Sequence, residues 1–148
     1  MSGAILGPGL VDLGLKQLVA LMASTSAGCR YCQAHTSSAA AKRGVEVAKV
    51  EAVFEFETSD LFTEAERAAL RIARDGALQP NASTAGHFDE LGKHFSSAEI
   101  VEIVATVSLF GLLNRWNDTM ATSLEEEPLS FGSEHLSHGG WELGKHKA

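Results

Sequence analysis

The chain has 148 residues, of which 45% are hydrophobic and 21% charged, a composition that fits one globular domain and excludes a disordered chain. Its net charge is -7 and no segment concentrates lysine and arginine, so we expect no nucleic-acid partner, because phosphate binding requires clustered basic residues. The most apolar stretch, residues 100–113, is shorter than the roughly 20 residues of a membrane span. The N-terminus lacks a basic leader, and we expect a cytoplasmic protein without a membrane segment.

Apolar residues recur at spacings of three and four without sustained alternation, which predicts an all-α fold. Thr63 with Glu66 and Ser96 with Glu99 form the capping-box pattern that begins a helix. In chain order the predicted helices cover residues 10–26, 29–42, 45–56, 63–74, 84–94 and 96–122. We therefore expect a single helical domain over residues 1–148, with about six helices, a core over 10–125, a long C-terminal core helix and an irregular tail over 126–148. In the tail, Phe131 and Trp141 are apolar residues that could contact a neighbouring subunit.

A pair of cysteines, Cys29 and Cys32, lies where one predicted helix ends at Gly28 and the next begins. Free N–H groups and the helix dipole favour negative charge in a first helical turn, so a thiol there ionises readily. Residues three apart on a helix are too distant for a disulfide unless the first lies in the cap region, as Cys29 does. His35, one turn beyond Cys32, can accept a thiol proton. The motif predicts a redox-active or nucleophilic pair.

Two cysteines can also form half of a zinc site, and His135 and His138 in the tail could complete it. The remaining histidines, His87, His94 and His146, lie in polar segments, and we expect them at the surface.

Other polar residues have two interpretations each. Glu55 and Glu57 follow an apolar helix and either point toward the cysteines or end a solvated helix. The polar cluster within residues 114–118, late in the long apolar helix, either satisfies helix ends or an interface, or lines a pocket. Trp116 is expected in the core or at an interface.

The motifs AGCRYCQAHT, FETSDLFTEAERAAL and FSSAEIVEIVATVSLFGLLNRWND resemble the alkylhydroperoxidase D-like proteins of the carboxymuconolactone decarboxylase superfamily. The resemblance covers about residues 10–125, and the CxxC with its histidine is its specific part. It implies an all-helical fold, assembly into homotrimers or homohexamers, and a redox-active cysteine pair that reduces hydroperoxides without a cofactor. An unidentified dithiol would then supply the electrons.

The same resemblance assigns roles to individual residues. Cys32 would be the peroxidatic thiolate, Cys29 the resolving cysteine and His35 the proton-relay histidine. His35 lies one position nearer Cys32 than the family's histidine, whose place holds Thr36, and the relay glutamate of the family corresponds to Gln17. A glutamine cannot accept a proton as a carboxylate does, so either Gln17 orients His35 or a water, or Glu55 or Glu57 replaces the glutamate, or the peroxidase activity is weak.

These observations support three hypotheses. The first is a thiol-dependent hydroperoxide reductase that cycles Cys29 and Cys32 between dithiol and disulfide. The second is a non-enzymatic redox sensor or oligomeric module in which the disulfide changes subunit packing. The third, favoured least because that branch of the superfamily has no CxxC, is a cofactor-free decarboxylase.

Overall fold

The computed structural model describes residues 1–148, and it contains eight α-helices, two short 3-10 helices and no strand. The helices are α1 (Ser2–Leu6), α2 (Leu13–Ala27), α3 (Arg30–Lys42), α4 (Val47–Glu51), α5 (Glu64–Gly76), α6 (Ala85–Leu91), α7 (Ser97–Met120) and α8 (Glu126–His135). The 3-10 helices are Ala52–Glu55 and Ser137–Gly139. The all-α prediction is confirmed.

Helix α2 is the centre of the core. The helix starts at Leu13, three residues after the predicted start at residue 10. Asp12 caps it by accepting a hydrogen bond from the backbone N–H of Leu15 at 2.9 Å. Its side chains, among them Leu18 and Leu21, are almost entirely buried, because α3, α5 and α7 pack around it. The C-terminal end of α2 is thereby fixed in the interior, where the cysteine pair follows.

The predicted capping boxes are both formed, by Thr63 with Glu66 at α5 and by Ser96 with Glu99 at α7. The single helix predicted over residues 45–56 is divided into α4 and the 3-10 helix that follows it. Helix α1 was not predicted. It is a short segment held against α2 and α7, with the buried Lys16 donating to the carbonyl of Gly7 at 3.0 Å, and such long-range contacts leave no local signal.

Helix α7 carries apolar residues on two faces. The inner face includes the buried Ile103 and Phe110, whereas Val101, Leu112 and Trp116 are exposed on the outer side; we call these three the exposed α7 face. The helix is also long and apolar enough to cross a membrane, judged by length and composition alone, and the core helix of a water-soluble protein can have the same length and composition. The apolar outer surface is unusual for a solvent-facing helix.

The prediction of an irregular tail over residues 126–148 is wrong for residues 126–135, which form α8 and pack onto α3, whereas residues 136–148 are irregular apart from the second 3-10 helix. Pro128 occupies the first turn of α8, where no intrahelical N–H bond is lost, so it does not prevent a helix. Trp141 is buried in its own chain rather than free to reach a neighbour, and a Cβ at Gly132 would come within 3.1 Å of its ring. The C-terminal segment is therefore part of the core, and it lies beside the cysteines.

Candidate active site

The cysteine pair occupies the corner between α2 and α3. Gly28 ends α2 with φ at +77°, in the left-handed region that favours glycine. The chain reverses there, and the backbone N–H of Cys29 donates to the carbonyl of Ser24 at 3.1 Å. Cys29 is the N-cap of α3 and Cys32 ends its first turn. This places both sulfurs at the positive end of the helix dipole.

The two thiols are reduced, buried and in contact. Cys29 is 0% and Cys32 2% exposed. The Cys29 sulfur accepts the Cys32 backbone N–H at 3.3 Å. The hydrogen bond from the Cys32 thiol lowers the pKa of Cys29, and the same bond together with burial raises the pKa of Cys32. The negative charge of the ionised pair therefore resides on Cys29, whereas the family resemblance places the reactive thiolate on Cys32.

Helix α7 supplies a donor to the second cysteine. The side-chain amide of Asn117 donates to the Cys32 sulfur at 3.7 Å and to the carbonyl of Leu113 at 3.0 Å. The hydroxyl of Thr122 donates to the other end of the same amide at 2.9 Å, which fixes its orientation. Of the polar cluster weighed in the sequence, Asn117 thus contacts the thiols.

A carboxylate that the sequence did not indicate pairs with His35. The Nε2 atom of His35 lies 2.7 Å from an oxygen of Glu125, whose other oxygen accepts the hydroxyl of Tyr31 at 3.1 Å. His35 is stacked on Tyr31, with 4.5 Å between the ring centroids. The backbone N–H of Glu125 and the bond to His35 lower the pKa of Glu125, and burial with the Glu125 charge raises the pKa of Tyr31 to about 12. A charged carboxylate is therefore coupled to the histidine one turn from Cys32.

The carboxylates and the glutamine considered in the sequence lie elsewhere. Glu57 forms hydrogen bonds with Arg71 and Arg74, and Glu55 forms no side-chain hydrogen bond. Gln17 is buried in α2 and makes no hydrogen bond to His35 or to either cysteine. The carboxylate that lies beside His35 is instead that of Glu125, in the connection between α7 and α8. It is remote in sequence from His35, so no local pattern could have identified it.

The histidines weighed as zinc ligands are not brought to the cysteines. His135 contacts a side-chain oxygen of Glu51 at 2.8 Å, and His138 contacts the carbonyl of the same residue at 3.1 Å. No group of three or more His, Cys, Asp or Glu side chains is arranged to bind a metal ion.

The prediction that His146 lies at the surface is wrong, because the residue is only 1% exposed. Its Nδ1 donates to the carbonyl of Thr122 at 2.8 Å, while its Nε2 has no hydrogen-bond partner.

The last residues of the chain cover the cysteine corner. The indole N–H of Trp141 donates to the carbonyl of Arg30 at 3.0 Å, and the guanidinium of Arg30 donates to the carbonyl of Gly140 at 3.1 Å. The backbone N–H of Leu124 donates to the carbonyl of His146 at 3.0 Å. These bonds hold the C-terminal segment over the first turn of α3 and exclude water from the thiols.

A groove of about 570 Å³ opens beside this corner. Its walls are formed by α7, the end of α2 and the segment that follows α5, and Asn114, Arg115 and Asp118 of the polar cluster line it. It is large enough for a small organic molecule.

Comparisons with known proteins agree with this fold. The family model for the carboxymuconolactone decarboxylase family matches residues 1–75. The uncharacterized protein YnjA of Escherichia coli K12 is 28% identical over 110 residues, which cover 74% of this chain but only 60% of YnjA.

Solved structures of two proteins illustrate the similarity. The debrominase Bmp8 is 39% identical, with a TM-score of 0.83, covering 88% of this chain and 70% of its own. A cysteine-to-alanine variant of Bmp8 has been solved in complex with 2,3,4-tribromopyrrole. The Agrobacterium tumefaciens protein ATU0492, a putative antioxidant defence protein AhpD, shares the fold, with a TM-score of 0.78, 23% identity and coverage of 85% of this chain and 86% of its own.

Proposed function

We propose, since the chain belongs to the carboxymuconolactone decarboxylase family, that it is a thiol-dependent reductase in which Cys29 and Cys32 cycle between dithiol and disulfide. The observation that carries the proposal is the burial of both cysteines at the N-terminus of α3, where the Cys29 sulfur accepts the backbone N–H of Cys32 at 3.3 Å. A thiolate stabilised by a neighbouring thiol and a helix dipole is a two-electron nucleophile, and the second thiol is in place to close the disulfide.

The first substrate class is an alkyl hydroperoxide. The thiolate attacks the terminal oxygen, the O–O bond breaks, and the sulfur becomes a sulfenic acid while the alkoxide leaves and takes a proton. The second thiol then attacks the sulfenic sulfur, which releases water and forms the disulfide. Two thiols and one hydroperoxide thus give a disulfide, an alcohol and water. An external dithiol restores the reduced pair.

The acidity of the two thiols decides which sulfur attacks first. Because the pKa of Cys29 is lowered by the Cys32 thiol and that of Cys32 is raised, we assign the first attack to Cys29 and the resolving step to Cys32. This reverses the roles that the resemblance implies. Trapping the sulfenic acid with dimedone distinguishes the assignments: the Cys32→Ser variant should be labelled after one equivalent of hydroperoxide, and the Cys29→Ser variant should not.

His35 and Glu125 serve the proton transfer. The alkoxide needs a proton as it leaves, and His35 lies one turn beyond Cys32 with its Nε2 atom 2.7 Å from the Glu125 carboxylate. Gln17 makes no hydrogen bond to this pair. We therefore place the relay in His35 and Glu125.

A stopped-flow measurement tests the hydroperoxide reaction. Fully reduced protein is mixed with cumene hydroperoxide at neutral pH, and the loss of thiols is compared with that of free cysteine. The proposal predicts a second-order rate constant several orders of magnitude above that of free cysteine, and loss of the fast phase in the Cys29→Ser variant. A rate equal to that of free cysteine would refute peroxide reduction.

Reductive debromination is the second candidate, favoured by the 39% identity to a debrominase over 88% of the chain. A dithiol supplies the two electrons and the proton that replace an aryl bromide with hydrogen, giving the disulfide, bromide and one further proton. The same reduced protein is incubated with 2,3,4-tribromopyrrole, and bromide release and disulfide formation are measured together. Equal amounts of both products support this reaction, and no bromide excludes it.

Two further hypotheses have their own tests. For a redox sensor, the disulfide would change the assembly, so light scattering that gives the same mass in both redox states counts against it. For a cofactor-free decarboxylase, a Cys29→Ala/Cys32→Ala variant should still convert a muconolactone, and its inactivity would exclude that branch.

We also propose that the protein assembles with copies of itself through the exposed α7 face. Val101, Leu112 and Trp116 are three large apolar side chains exposed on the outer side of this helix, and exposed apolar surfaces mark interaction sites. The expected assemblies are a homotrimer or a homohexamer in the cytoplasm, without nucleic acid or membrane. A Trp116→Glu variant should lower the mass measured by light scattering, and an unchanged mass would place the interface elsewhere.

A further inference from the structure

The groove beside the cysteine corner has a lining with little net charge. Its charged side chains are Arg115 and Asp118, one of each sign, and its apolar walls include Val104, Val107 and Phe88. A lining of this kind does not favour an ion. It favours a neutral molecule with flat apolar faces and a small number of polar atoms.

Asn114 is the polar residue of this lining that folding does not explain. It is 3% exposed, and neither its amide nitrogen nor its amide oxygen has a hydrogen-bond partner. Buried side-chain amides are almost always hydrogen-bonded in native proteins, so an amide with both atoms unpaired requires a reason other than stability. A carboxamide offers one acceptor and one donor side by side, which suits a ring that carries an N–H group.

The groove and the thiols lie next to the same two elements, the end of α2 and helix α7. Ser26 and Ala27, which precede Gly28 and Cys29 in the chain, line the groove. Asp118 lines it as well, and its charge opposes ionisation of both cysteines. Asn117, on the adjacent side of α7, donates to the Cys32 sulfur. A molecule in the groove therefore lies next to the cysteine corner, although neither Cys29 nor Cys32 belongs to the groove lining.

We propose that this groove is the substrate-binding site and that the Asn114 amide binds a small, neutral, planar heteroaromatic ring by accepting its N–H group. The inference rests on the dithiol reaction proposed above, because it gives the ring of the debromination candidate a binding residue. Ring faces pack against the apolar wall, and the Asn114 oxygen fixes the ring's rotation. Asn114 is a binding residue and takes no part in the electron transfer.

Binding is measured without turnover. The Cys29→Ala/Cys32→Ala variant is titrated with 2,3,4-tribromopyrrole by isothermal calorimetry, and three further substitutions are added to it singly. Asn114→Leu removes the amide. Gly111→Leu adds a side chain in the groove lining at a position where a Cβ meets nothing within 4 Å. Thr106→Val is the control, since Thr106 is also buried on α7 but outside the groove, with its hydroxyl bonded to the carbonyl of Glu102 at 2.9 Å.

The proposal predicts saturable binding that Asn114→Leu weakens about tenfold, the value of one buried hydrogen bond. Gly111→Leu should abolish binding, and Thr106→Val should leave it within about twofold. Because the Asn114 amide has no partner in the free protein, Asn114→Leu should not lower the melting temperature. Unchanged affinity in Asn114→Leu, or no saturable binding by the parent variant, overturns the proposal.

The outcomes separate this inference from the proposed function. Binding that depends on Asn114, together with no bromide release by the wild-type protein, leaves the site standing and rejects the debromination reaction. Bromide release that Asn114→Leu does not slow supports the reaction and rejects this site. A fall in mass by light scattering with unchanged affinity would assign Asn114 to a contact between copies and reject the site as well.

Discussion

Replacing Glu125 with glutamine removes the charge that faces His35 and keeps the size of the side chain. The two groups are 2.7 Å apart, with side chains 40% and 59% exposed. Unit charges about 4 Å apart interact by about 1 kcal/mol in water and about 4 kcal/mol near a protein surface. Exposure and salt screening place this pair at the lower limit, about 1 kcal/mol. We therefore predict a roughly fivefold slower first oxidation of the thiols by cumene hydroperoxide, measured by stopped flow.

Glu127→Gln is the matched control for this change. Glu127 lies two residues further along and bonds to Ser38 and Lys42, and His35 is a weaker electrostatic neighbour of it, so the Glu127→Gln variant has the same net charge as Glu125→Gln and should react close to the wild-type rate. Tyr31 gives a second signal, since it is the one tyrosine of the chain and Glu125 contributes to raising its pKa to about 12. Its ultraviolet titration should move to lower pH in Glu125→Gln alone. Equal rates in the two variants would refute the relay.

Three further predictions concern the covering segment, the N-terminal contact and the thiols. Trp141→Ala should lower the free energy of unfolding, measured in urea, by about 3–5 kcal/mol. Trp141→Phe, which removes the hydrogen bond of the indole N–H, should lower it by about 1 kcal/mol. Equal losses in the two variants would contradict the packing described. The backbone N–H of Leu10 contributes most to lowering the pKa of Glu102 to about 2 from 4.5, so its carboxylate stabilises the fold above pH 4.5 and this stabilisation is lost as the pH falls toward 2. The melting temperature of Glu102→Gln should therefore vary less with pH in that range, and an identical pH dependence would exclude this contribution. In Cys32→Ser the hydroxyl can still donate to Cys29, whose pKa is lowered in the wild-type protein, so iodoacetamide should modify the remaining thiol with a midpoint below that of free cysteine. A midpoint above that of free cysteine would instead assign the thiolate to Cys32.

Features set by neighbouring residues could be read from the sequence. The capping boxes at Thr63 and Ser96 and the glycine stop at Gly28 involve residues a few positions apart, and they form as predicted. The placement of Cys29 at the start of α3 has the same local origin.

Features set by tertiary contacts could not be predicted from the sequence. Glu125 meets Tyr31 and His35 only because α8 packs on α3, and His146 is buried only because the end of the chain returns to Thr122. Helix α8 itself was missed because Pro128 and several glycines and serines suggest a loop, although proline is tolerated in a first turn and two acidic residues begin the helix.

The central claim is that Cys29 and Cys32 act as one two-electron donor, and the most direct test is the stoichiometry of a single turnover. Reduced protein is mixed with a limiting amount of cumene hydroperoxide or of 2,3,4-tribromopyrrole, and the disulfide is counted by mass spectrometry against alcohol or bromide. We expect one disulfide between Cys29 and Cys32 for each product molecule from at least one of the two substrates. Product without this disulfide, or no product from either substrate, would contradict it.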